Sequence, residues 1–313
     1  MNLDLRDPDC KLYVCCTAVS VAAILATAVA SLAYLIAAAP SEAYILTSKE
    51  ESMGVTFPMI CAIAFLACLA LIVRDLFRRL KGRPAEERDR RFMRAPLSKA
   101  GILFAITAFT SMLVILISDL IGEGITESFT DDMTNYELMV SMLCAGPEEE
   151  FICRMLLIGL PVTLLCMAAG HKGSLKNFFG GFGMSRAALV LLIISSVIFG
   201  LLHLDGWSIM KFPDTFISGV LFGYVYIQYG VHASIVMHST FDLMASFDVF
   251  LDGAGTVPII ALAVLGAALT LRSLLKIRSY IPENNLNEPF EGSLMEMWER
   301  ERRSQPPLPR PCA

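Results

Sequence analysis

The sequence predicts an all-α protein, a polytopic transmembrane helix bundle with about eight spans. Hydrophobic residues make up 55% of the chain and charged residues only 18%, whereas about a quarter of the residues in a soluble domain are charged. The apolar residues come in blocks of about 18 to 25, which is the length that a helix needs to cross the hydrocarbon core of a bilayer. This pattern excludes a soluble fold.

The apolar blocks follow one another along most of the chain. The fourth block is longer than one span needs, and Gly146-Pro147 and Pro161 interrupt it. Because proline removes a backbone donor and bends a helix, we expect a kinked or tilted helix there. The predicted spans are 13–39, 55–75, 101–122, 134–170, 187–204, 213–230, 232–250 and 256–276.

Composition divides the chain into three regions. Residues 1–98 hold the first two spans and a basic loop, and residues 281–313 form a polar, Pro-rich C-terminal tail. Residues 99–280 are the predicted core of the protein. Within this core, residues 135–255 contain the intramembrane charges that indicate chemistry.

The loops predict the orientation. Ten Lys and Arg residues lie between Arg74 and Lys99, whereas the loops 40–54 and 122–134 are mostly acidic. Basic loops stay in the cytoplasm, so both termini should be cytoplasmic, and we expect a prokaryotic cell membrane as the location. The basic segment adjoins a span, which explains its charge. The lipid bilayer is therefore the expected partner and nucleic acid is not.

The fourth block contains a cluster of ionisable residues, Glu148-Glu149-Glu150 and Arg154. Each ionised side chain near the bilayer centre costs about 2.5 to 3.5 kcal/mol on insertion scales, so such a cluster indicates a use. Glu150 and Arg154 are four residues apart and share one helical face. Glu149 is turned by about 100° from Glu150 and stays available for chemistry. A purely structural ion cluster is the alternative.

Histidines mark two later blocks. His203 ends the fifth block, four residues after Phe199, and His238 precedes Asp242 by four residues on one face of the seventh. A carboxylate beside an imidazole can act as a general base on water, and a further His could stabilise an oxyanion. An interfacial His203 and a structural His238–Asp242 hydrogen bond are the alternatives. We interpret His232 as interfacial.

These groups predict an active site inside the membrane. Glu149, Glu150, His203, His238 and Asp242 should converge, since isolated charges in lipid are costly. His238 lies eight residues from Gly230, near one end of its span, whereas His203 lies at the opposite end of its own. The two can meet only if the helices tilt strongly or if the fifth span begins deeper in the membrane.

Three motifs occur in order on successive apolar blocks: E-E-x-x-x-R, F-x-x-x-H and H-x-x-x-(N/D). Together they resemble the CPBP family of CAAX proteases and bacteriocin-processing enzymes, which includes the type II CAAX prenyl endopeptidases. The resemblance covers roughly residues 135–255. It implies an intramembrane endopeptidase that acts on a peptide or protein at the membrane, either a C-terminal CAAX-like sequence, prenylated or not, or another small peptide.

The resemblance also implies a role for each motif residue. Glu149 and His203 would activate water, and Arg154 would hold Glu150. His238 and Asp242 would face the tetrahedral intermediate or complete a metal site. Asp242 stands where the prenyl endopeptidases usually have Asn, which puts prenyl-CAAX specificity in doubt because an ionised Asp cannot donate to an oxyanion.

The sequence does not decide whether the predicted active site needs a metal ion. The H-E-x-x-H motif is absent, but Glu149, His203 and His238 could together hold Zn²⁺. We prefer a metal-free mechanism and predict no other cofactor site. One rival is a proton-coupled transporter, which should show similar broken helices in two halves of the chain, and the sequence shows no such repeat. The other rival is a non-catalytic relative that serves as a membrane scaffold or immunity protein.

Overall fold

The computed structural model describes residues 8–48, 56–126, 133–170, 174–250 and 256–275. These residues form helices and no β-strand, as the sequence predicts. The α-helices are α1 (Pro8–Ser48), α2 (Thr56–Leu80), α3 (Ala85–Met93), α4 (Pro96–Leu120), α5 (Asn135–Glu150), α6 (Leu160–Ala168), α7 (Arg186–Leu202), α8 (Lys211–Tyr229), α9 (Val231–Phe250) and α10 (Thr256–Leu275). The polar C-terminal tail lies outside the described residues.

Five helical segments among the described residues are long and apolar enough to cross a membrane. They are Lys11–Ala39, Thr56–Leu80, Pro96–Leu120, Asn135–Ala168 and Arg186–Asp205. The helices α8, α9 and α10 do not meet the same limits of length and hydropathy, so the span count of eight stays a prediction.

The fourth span is continuous through both prolines. It opens with a capping box, in which the Thr134 hydroxyl accepts from Glu137 N and the Glu137 carboxylate accepts from Thr134 N. Pro147 lies inside α5, and a π-helix over Phe151–Gly159 joins α5 to α6. The wider π turn begins directly after Glu150. Such turns inside α-helices often mark functional sites.

The helix α9 lies in the centre of the bundle and packs against α5, α2, α8, α1 and α4. All side chains from Val231 to Thr240 are buried. Gly146 allows α5 to approach α9 closely, because a Cβ atom at this position would overlap the Ser239 hydroxyl and lie 2.9 Å from the Ser239 Cα. This contact brings the acidic end of α5 next to His238.

The junction between α8 and α9 fixes where α9 begins. Gly230, with φ of 100°, ends α8. Gly181 N donates to Tyr226 O at 3.0 Å and Gly183 N donates to Ile227 O at 2.9 Å, so the start of α9 lies beside the residues that precede α7. At 1.5 Å per residue, His203 is then about 15 Å further along its helix than His238, and α7 and α9 must be inclined to each other for the two to meet.

Candidate active site

A buried ion pair forms the base of the site. Arg154 Nε lies 3.4 Å from Glu150 Oε1, and neither side chain is exposed (0% each). Arg154 also donates to Ser195 Oγ at 3.1 Å, and its guanidinium lies 4.8 Å from the centre of the Phe199 ring. This is the pairing that the spacing of four residues predicts. It neutralises a charge that would otherwise be costly in an apolar interior.

Glu150 also holds the imidazole of His238. Glu150 Oε1 lies 2.9 Å from His238 Nδ1, and Glu150 Oε2 accepts a hydrogen bond from the Ser234 hydroxyl. Both carboxylate oxygens therefore have partners on α9. Glu150 connects Arg154 to His238 and is fully buried, which makes it a positioning group rather than a base for an incoming water.

His238 stands between carboxylates. Its Nε2 lies 3.5 Å from Glu149 Oε2 and 3.4 Å from Asp242 Oδ2, on the side of the ring opposite Glu150. The ring stacks on Phe222 at a centroid distance of 4.3 Å. The His238 side chain is only 3% exposed. The two partners on Nε2 and the one on Nδ1 fix the orientation of the ring.

Glu149 and His203 share a cavity of about 470 Å³. Glu149 is 31% exposed, in contrast to the buried Glu150. His203 Nδ1 lies 2.8 Å from the Phe199 carbonyl and donates to it, so the neutral ring keeps Nε2 as an acceptor. The cavity therefore presents a carboxylate and an imidazole nitrogen, the groups that water activation needs. Its other lining residues are Ile152, Cys153, Phe199, Leu202, Asp205, Gly206 and Trp207.

The structure brings the predicted site residues together. Glu149, Glu150 and Asp242 all contact His238, and the Phe199 ring joins the two histidines with centroid distances of 4.7 Å to His203 and 5.7 Å to His238. Both histidines therefore contact the same Phe199 ring, despite their different depths along their helices. The chemical role of each residue stays a prediction.

His232 does not lie at an interface with solvent. It is 1% exposed, and neither ring nitrogen has a hydrogen-bond partner among the described residues. The interpretation as an interfacial residue is therefore wrong, because the start of α9 is enclosed by neighbouring helices. His232 takes no part in the contacts that join Glu149, Glu150 and Asp242 to His238.

Two serines of the site were not predicted, although a signal for them exists. Ser234 precedes His238 by four residues, and Ser195 precedes Phe199 by four. On each helix, the face that carries the motif residue therefore also carries the serine, one turn closer to the start of the helix. Ser195 both accepts from Arg154 and donates to the Cys153 carbonyl at 2.5 Å, which ties α7 to the π-helix. Trp207 lies in a loop, where no periodicity could indicate it.

The residues present do not fit the proposed zinc site. Among the described residues, no group of three His, Cys, Asp or Glu side chains is arranged to hold a metal ion. Glu149, His203 and His238 therefore do not form the predicted ligand set, and we derive no step through a metal ion.

Fold and site define a multi-pass helical membrane protein with a cluster of carboxylates and imidazoles beside a cavity. Residues 133–244 match a family model, the type II CAAX prenyl endopeptidase Rce1-like family, so this part of the chain is similar to CAAX proteases. The match contains all seven motif residues from Glu149 to Asp242. The family match confirms the resemblance that the motifs show and supports the prediction that the protein is a peptidase. No curated protein and no solved structure matches the chain.

Proposed function

We propose that this protein is an intramembrane endopeptidase that cleaves a C-terminal, CAAX-like peptide with a water activated by Glu149 and His203. The shared cavity carries the proposal, because it is the place where a water can contact both groups. The family match supports peptide hydrolysis. The apolar lining from Ile152, Phe199 and Leu202 suits an aliphatic or prenylated peptide.

In the proposed reaction Glu149 is the general base. It takes a proton from the water, whose oxygen attacks the scissile carbonyl carbon and forms a tetrahedral intermediate. His203 Nε2 holds the same water in position. The carbon–nitrogen bond then breaks, and the proton on Glu149 passes to the leaving amine. No further reactant is needed.

The groups around Glu149 would serve the intermediate. His238 Nε2 faces both Glu149 and Asp242 and is the donor nearest to the base, so it is placed to stabilise the oxyanion. Asp242 orients His238 in this role and needs no proton of its own. Replacement of the usual Asn by Asp242 is compatible with cleavage on this assignment.

Purified full-length protein in nanodiscs, which expose both membrane faces, provides the test. We expect a farnesylated peptide that ends in Cys-Val-Ile-Met to be cleaved after the cysteine, with the released tripeptide identified by mass spectrometry. The matched peptide without the farnesyl group should be cleaved more slowly. Equal cleavage of both peptides would remove the prenyl preference. No cleavage of either by correctly folded protein would favour a non-catalytic relative.

A chelator arm of the same assay separates the two mechanisms. Because no step requires a metal ion in the proposed reaction, 1,10-phenanthroline should leave the cleavage rate unchanged. A loss of activity that added Zn²⁺ restores would establish a metalloenzyme and would remove Glu149 from its proposed role as an unassisted base.

The orientation is a separate proposal. Exposed basic residues lie on both sides of Gly82, among them Arg78, Lys81 and Arg83, and such loops stay in the cytoplasm. In bacterial cells, alkaline phosphatase fused after Ala313 should be inactive, and the same reporter placed at Gly124, beyond the other end of α4, should be active. An active fusion after Ala313 would place the C-terminus outside the cytoplasm.

A further inference from the structure

A loop after α7 forms one wall of the cavity. Residues 205–207, which we term the Trp207 wall, line the cavity and include no residue of the three motifs. Ser208 N donates to Thr126 O at 3.0 Å, and Lys211 N donates to Ser208 O at 2.9 Å. The wall is thus held by the segment that follows α4 on one side and by the start of α8 on the other.

A chain of polar contacts connects α4 to the indole of Trp207. Ser111 Oγ donates to Asp214 Oδ1 at 2.5 Å, and Lys211 Nζ donates to Asp214 Oδ2 at 2.8 Å. The Lys211 ammonium lies 4.5 Å from the centre of the Trp207 ring, which is the range of a cation–π contact. The indole therefore contacts a lysine whose own position is set by a buried carboxylate.

The dipole of α8 does not explain a lysine at this position. A cation in the first turn of a helix faces the positive end of the helix dipole, where an acidic residue is preferred. Asp214 satisfies that preference, and Lys211 opposes it. The ion pair with the buried Asp214 and the contact with Trp207 together account for a cation at this place, and the second contact concerns the cavity.

We propose that Trp207 forms an apolar subsite for the aliphatic side chains that follow the scissile bond, and that Lys211 is the residue that positions it. This inference rests on the proposed function, since it assigns a substrate to the same cavity. The indole offers a large, rigid apolar surface, and Leu202 and Ile152 extend the apolar lining. The two residues between the cysteine and the last position of a CAAX sequence are aliphatic and fit this surface.

Fluorescence tests binding without turnover. The chain has two tryptophans, so W298F leaves Trp207 as the single reporter, and E149Q slows cleavage so that binding is observed before turnover. A farnesylated Cys-Val-Ile-Met peptide should shift Trp207 emission to shorter wavelength, and a farnesylated Cys-Gly-Gly-Met peptide should not. K211M should weaken the response, whereas K211R, which keeps the cation, should retain it. Emission that neither peptide moves would overturn the proposal.

Kinetics in the active enzyme provide the second measurement. W207A should lower the preference in kcat/KM for the Val-Ile peptide over the Gly-Gly peptide by at least about tenfold, since the apolar contact is lost. K211M should raise KM with little change in kcat, and K211R should restore it. An unchanged preference in W207A contradicts the subsite. If wild-type protein cleaves neither peptide, the proposed function fails, and the emission titration still decides whether Trp207 contacts the peptide.

Discussion

Substitution of Glu149 by Gln is expected to lower kcat for peptide cleavage by about 10²- to 10⁴-fold, the usual contribution of a positioned general base. Gln keeps the volume and can still hydrogen-bond to His238, but it cannot take a proton from water. The protein should keep its fold, because Glu149 is partly exposed to the cavity and holds no buried cation alone. Cleavage of the farnesylated Cys-Val-Ile-Met peptide in nanodiscs gives the rate.

Glu148→Gln is the matched control. Glu148 is the preceding carboxylate in the same helix, but it is exposed and does not line the cavity. Its substitution should leave the rate near that of the wild type. Full activity in Glu149→Gln would contradict the mechanism and would leave Glu148 or Glu150 as the base. A transporter would show the Glu149→Gln defect in flux rather than in proteolysis.

Spacing within one helix proved informative about the site. The four-residue intervals from Glu150 to Arg154 and from His238 to Asp242 predict side chains on one face, and both pairs are in contact. The 100° turn between Glu149 and Glu150 predicts different surroundings, and Glu150 is indeed buried while Glu149 faces the cavity. These relations follow from helix geometry alone.

Contacts between different helices, and local departures from α-helical geometry, could not be predicted from the sequence in the same way. Nothing in the apolar run after Glu150 distinguishes the π-helix over Phe151–Gly159 from an α-helix. The acceptor for His203 is a backbone carbonyl, which has no sequence signature. The buried state of His232 depends on the helices that surround α9. Each of these features is set by tertiary packing, which the pattern of one segment does not report.

Substitution of Arg154 by Ala is expected to impair stability as well as activity. It removes the partner of Glu150 and leaves that carboxylate buried, a change that typically lowers the free energy of unfolding by about 3 to 5 kcal/mol. The hydroxyl of Ser195 and the ring of Phe199 lose their contacts with the guanidinium at the same time. Thermal unfolding in detergent should show a clearly lower midpoint than the wild type.

Two further variants separate charge from packing in this result. Arg78→Ala removes an exposed arginine from α2 and should change the free energy of unfolding by no more than about 0.5 kcal/mol. The double variant R154M/E150Q removes both buried charges and keeps much of the volume, so it should recover part of the lost stability. It should stay inactive, because His238 loses the carboxylate that orients it. If Arg154→Ala were as stable as the wild type, water or another cation would already compensate the charge of Glu150. The ion pair would then have no structural role.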